Sequence, residues 1–214
     1  MRTDTGFEVE NPRELLFGFV RDWYPMYDGV EVPQDNELRI TEIALSTMLN
    51  SRISGNTGAD IWRQSRKDVV EALVDIRAGV DLLDEPGGNS IRDESGISRA
   101  ITAMCNVRRC KLAVATKILH KKRPGLIPIL DSNVESHYHP NWCPSVKGRS
   151  YGDYVVALTR LVHKDMLGVA SELRDLRCAL RENGTPMTGC RILNALMWAV
   201  LSRDEDRLRR VVKQ

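Results

Sequence analysis

Acidic residues are absent between Glu94 and Asp131. The same stretch carries eight basic ones, Arg99, Arg108, Arg109, Lys111, Lys117, Lys121, Lys122 and Arg123. It therefore holds +8 in a chain of net charge +2, and the remainder sums to −6. Segregation of this kind argues against an evenly mixed, merely solubilising surface, and a patch of that sign and density attracts phosphates. Other absences narrow the field. No apolar run approaches the roughly 18 residues of a membrane span. Five cysteines, an odd number without tight pairing motifs, do not form a disulfide framework. No Walker loop, nucleophile elbow or dinucleotide fingerprint is present. Period-two alternation is missing, as are heptads and solenoid repeats. The opening Met1-Arg2-Thr3-Asp4 is polar and does not read as a signal peptide, so reduced thiols in a cytoplasm are expected.

What remains is helix after helix. Leu15, Leu16, Phe19 and Val20 predict a helix over Pro12 to Trp23. A second is expected from Leu38 to Ile53, then a turn at Ser54 to Gly58, a short helix from Ala59 to Gln64 and another from Val69 to Leu83. Ile97 to Met104 and Leu112 to His120 read as two helices joined by a tight connection. A short helix follows Asp131, and Tyr154 to Leu180 is long and amphipathic with a break at Gly168. Gly189 to Leu201 closes the series. The expectation is an all-α protein with 1–214 as a single domain.

Asp131 is the acid that ends the basic window, and it follows the apolar run Leu126-Ile127-Pro128-Ile129-Leu130. A carboxylate at the edge of a basic surface is a candidate for chemistry on a bound nucleic acid. The plainer alternative is a solvated basic helix followed by an aspartate that caps the next one. The segment from Cys110 to Leu119, continued through Ile127-Pro128-Ile129-Leu130-Asp131-Ser132-Asn133-Val134, resembles the helix-hairpin-helix DNA glycosylase superfamily. There a glycine-rich hairpin leads into a helix, and an Asp-x-His-Val segment follows some eighteen residues after a helical lysine position. Asp131-Ser132-Asn133-Val134 is similar, with Asn133 in place of histidine. The likeness covers roughly residues 97–136. Upstream, Glu42 to Arg52 looks like the superfamily's early helix, which ends in polar residues that enter the duplex. Asn50, Ser51 and Arg52 stand there, with an ordinary helix terminus as the alternative.

The resemblance implies two interlocked helical lobes, a DNA partner and hydrolysis of a base–sugar bond, with Asp131 catalytic. It places Arg108, Arg109, Lys111, Lys117, Lys121, Lys122, Arg123 and Asn133 against DNA. Three departures shape that expectation. The hairpin glycines fall near Arg109 and Lys111, which carry side chains. The lysine that forms a Schiff base in strand-cutting relatives falls on Ala113, which implies a monofunctional enzyme leaving an abasic site. The cysteines of an iron–sulfur cluster are missing. No cofactor is expected, and nothing marks an obligate protein partner. The altered hairpin is consistent with an unusual substrate, such as a modified viral base met in phage defence.

Trp23, Tyr24, Tyr27 and Trp142 are candidates to stack on an extruded base, core packing being the plainer role. His137, His139 and Cys143 are poorly spaced for zinc, so no metal is expected. Two other functions fit the same residues: an inactive DNA- or RNA-binding module of this fold, or a protein-interaction module.

Overall fold

A computed structural model gives the fold, and the description covers residues 1–49, 51, 53–91, 96–139 and 150–202. Nine α-helices follow one another there: α1 Pro12–Trp23, α2 Ile40–Ser46, α3 Gly55–Val74, α4 Gly96–Cys105, α5 Leu112–Lys122, α6 Ser132–Tyr138, α7 Tyr151–Gly168, α8 Ala170–Glu182 and α9 Gly189–Leu201. Short 3-10 turns lie at Tyr24–Met26, Thr47–Leu49 and Leu82–Asp84. Among the described residues the only β pairing is an isolated bridge between Arg2 and Glu8. The protein is all-α. None of its described helices is long and apolar enough to cross a membrane.

α1 and α9 occupy the stretches their apolar spacing predicts, and the long amphipathic stretch divides into α7 and α8 beside Gly168. The region from Leu38 to Leu83 differs from expectation. α2 gives way to a 3-10 turn at Thr47. The cluster Ser54 to Gly58 is the start of α3 rather than a turn, because the Ser54 side chain accepts the Thr57 N–H and caps the helix. α3 then runs without a break to Val74, and Val80 and Leu83 lie beyond it.

One continuous core reaches from Phe7 in the N-terminal segment to Ala199 in α9. α4 is its central strut, packed between α3 and α7. Two glycines permit that approach. A Cβ on Gly96 would stand 2.4 Å from the Ala72 carbonyl oxygen, and one on Gly152 would stand 2.1 Å from that of Ser98. Neither neighbour is a flexible side-chain end, so a side chain at either position forces the helices apart. A smaller cluster of Tyr27, Leu45 and Ile129 lies under the segment that leads to Asp131.

Candidate active site

Between α5 and α6, the backbone of Ile127, Ile129 and Leu130 is held by three side chains. His120 donates from Nδ1 to the Ile127 carbonyl at 2.7 Å. The Thr116 hydroxyl accepts the Leu130 N–H at 3.1 Å, and Asn194 of α9 donates to the Ile129 carbonyl at 2.6 Å. These bonds satisfy backbone groups that an extended, buried segment cannot pair with itself. Burial drives the proton affinity of His120 down to about 3, so the ring is neutral. Asp131 follows as the N-cap of α6, its Oδ1 accepting the N–H groups of Asn133 and Val134 at 3.0 and 3.1 Å. Its Oδ2 has no hydrogen-bond partner among the described residues. One carboxylate oxygen is thus spent on the cap and the other is left open.

Asp131 lines a cavity of about 250 Å³. Phe19 and Trp23 of α1 and Trp198 of α9 form an aromatic wall, with the two indoles edge to face at 5.2 Å. Leu49, Ile129, Asn133 and Lys117 complete much of the remaining lining. Lys117 is buried and donates to the Leu49 carbonyl. Its proton affinity is lowered by burial; the Asp131 carboxylate opposes that shift and Arg191 adds to it. No ion pair joins Lys117 directly to Asp131. Arg191 also borders the cavity, but its charge is neutralised by a two-pronged pairing with Asp28, at 2.7 and 2.8 Å. The cavity thus sets a carboxylate and a buried amine against an indole wall.

Of the residues singled out in the sequence, the structure brings Asp131, Asn133, Lys117 and Trp23 to one cavity. Trp198, Phe19, Arg191 and Asn194 are lining residues that sequence reasoning passed over. Arg191, Asn194 and Trp198 recur at helical spacing in an otherwise apolar helix, and that was the available signal.

The basic window divides. Arg108, Arg109 and Lys111 are exposed on the turn between α4 and α5. Arg109 adopts φ +70°, the left-handed region usually left to glycine. Lys111 is the N-cap of α5, so the positive end of that helix dipole lies beside these residues in the chain. Lys121, Lys122 and Arg123 correct the expectation of a phosphate grip. Lys122 is completely buried, with Nζ 2.6 Å from the Pro33 carbonyl, 2.7 Å from Asp35 and 3.1 Å from Glu42. Arg123 is 2% exposed and donates to the carbonyls of Ile76, Leu73, Gln34 and Asp35. It thereby terminates α3, whose last carbonyls have no partners within the helix. Lys121 is half-buried and donates to the carbonyls of Tyr27 and Val30. Their donors are spent on holding the segment before α2.

Two further expectations are revised. Tyr27 is buried, with its hydroxyl donating to the Lys117 carbonyl at 2.6 Å, and serves packing rather than the cavity wall. Ser51 is 8% exposed, and its hydroxyl has no partner among the described residues, so it is not presented to a duplex. Asn50, Arg52 and Trp142 lie outside the described residues, as does the side chain of Tyr24 in its 3-10 turn.

The chain belongs to a family of unknown function, DUF6308, which matches residues 20–200. No curated protein matches it. No solved structure matches it either.

Proposed function

We propose that the protein is a monofunctional DNA glycosylase of helix-hairpin-helix type that removes a damaged or modified base and leaves an abasic site. The observation that carries this reading is the Asp131 carboxylate in the wall of an aromatic cavity, with one oxygen held by backbone N–H groups and the other open. As the bond from C1′ to the base breaks, positive charge develops on the sugar, and a fixed carboxylate stabilises it. Water supplies the new oxygen at C1′, and the departing base takes a proton. Trp23 and Trp198 offer faces and edges to an extruded base, whose unstacking costs a few kcal/mol. Arg108, Arg109 and Lys111 supply the phosphate contacts that offset this cost. Arg109 supports the same reading, because its left-handed backbone stands near a hairpin position that the resemblance assigns to glycine.

The experiment is incubation with duplexes carrying a panel of modified bases, followed by alkali to cut at abasic sites. An intact strand that breaks only after alkali is expected. Borohydride trapping then tests the monofunctional assignment. Ala113 cannot form an imine, but Lys117 lies in the cavity. An adduct present in the unmutated protein and lost in Lys117→Ala would replace this reading with that of a strand-cutting enzyme.

A further inference from the structure

α3 presents a second basic face, outside the window from Arg99 to Arg123 and away from the cavity lining. Trp62, Arg63, Arg66 and Lys67 are all exposed, and Val70 is partly so, one turn further along. Trp62 keeps 40% of its surface open although Arg66 lies over its ring, 5.6 Å from the centroid. Arg66 is steadied by Glu37 at 2.7 Å. Arg63 and Lys67 have no ion pair among the described residues. The acids of this helix, Asp60, Asp68 and Glu71, are gathered on the adjoining flank. Arg63 and Lys67 are like charges at i,i+4 spacing, and although Glu71 stands four residues beyond Lys67, no ion pair between the two occurs among the described residues.

We propose that the face formed by Trp62, Arg63, Arg66, Lys67 and Val70 is a docking track for an unpaired nucleic-acid strand. The chemistry is an exposed indole for stacking a base, flanked by cations for the adjoining phosphates. The acidic flank sets the width of the track, because it repels a second phosphate backbone and so disfavours a duplex. Sequence preference is weak, since every base offers a face to the indole. This assignment does not depend on Asp131 or on base excision, and its test reads binding alone.

The full chain is titrated with a fluorescein-labelled oligothymidylate, and anisotropy is followed across a salt series. Trp62→Leu is expected to weaken binding about tenfold, and Trp62→Phe, which retains an aromatic face, to recover most of it. Arg63→Ala with Lys67→Ala is expected to reduce the salt slope by about 1.4, the value for two phosphate contacts on a single strand. All three side chains are at the surface, so helical circular dichroism stays unchanged. Wild-type affinity in Trp62→Leu, or an unchanged salt slope in the double variant, would overturn the proposal. So would polyglutamate displacing the oligothymidylate as effectively as unlabelled oligothymidylate does, which would assign the face to an acidic polypeptide.

Discussion

Lys122 Nζ stands 3.1 Å from Glu42 Oε1, and both side chains are closed to solvent. Asp35 and the Pro33 carbonyl complete the ammonium's surroundings. A cation read from the sequence as part of a DNA-facing patch is therefore the tie between the end of α5 and the segment that enters α2.

Lys122→Met removes that tie and leaves the buried Glu42 carboxylate only the longer pairing with the half-exposed Arg39, at 3.7 Å. Breaking a buried pair from one side costs about 3–5 kcal/mol. Denaturant unfolding should show a loss of that order. The salt slope of DNA binding, measured where the variant is still folded, should not move.

Arg109→Gly should act with opposite signs on stability and on binding. Glycine relieves the left-handed strain at φ +70°, which raises stability by about 1 kcal/mol. Loss of the charge lowers the salt slope for duplex DNA by about 0.9 if Arg109 neutralises one phosphate. A variant that is less stable, or that binds duplex DNA with the original slope, would refute this assignment.

His120 makes the fold acid-sensitive in a definite window. Its folded value of about 3 lies below the ordinary histidine value of about 6.5. Between these limits the unfolded chain binds a proton that the folded chain does not. Stability is therefore full above about pH 6.5 and falls on acidification, by about 1.4 kcal/mol per pH unit from this group. His120→Asn retains a donor for the Ile127 carbonyl but cannot titrate. Comparing urea midpoints of the two proteins from pH 7 to pH 4.5 should show the wild type losing more.

Asp131→Asn separates capping from chemistry. Asparagine caps helices about as well as aspartate, so α6 and the fold should hold. Excision should fall ~10²–10³-fold through loss of the charge at the sugar. DNA affinity should stay level or rise, because a negative charge near phosphates is gone. Asp131→Ala should add a stability loss of about 1 kcal/mol from the missing cap. Full excision by Asp131→Asn would sink the mechanism and leave the nucleic-acid-binding module as the better description.

The helices were legible wherever apolar spacing is unbroken. Leu15, Leu16, Phe19 and Val20 define α1 because one face of it is buried. The start of α3 was not legible, because Gly55, Asn56 and Gly58 are turn formers that a helix tolerates in its first turn once Ser54 caps it. Asp131 was legible through its place after an apolar run. The aromatic wall was only half legible: Trp23 lies in a visible aromatic cluster, whereas Trp198 meets it only because α1 and α9 pack together. The inward turn of Lys122 and Arg123 was invisible, because periodicity identifies a helix without saying which charged residues find buried partners. Glu42 is 80 positions away from Lys122.

The edge-to-face contact of Trp23 and Trp198 gives the cavity an optical signature of its own. Two indoles 5.2 Å apart share their excited states, and the sign and strength of the resulting near-ultraviolet dichroism depend on the angle between them. Trp62 lies outside this pair and contributes a separate, solvent-exposed emission. A ring wedged into the cavity alters the coupled band, whereas a strand laid on α3 quenches the emission of Trp62. With Trp142, the fourth tryptophan of the sequence, replaced by phenylalanine, occupancy of the two places can be followed separately, in one cuvette, without a label.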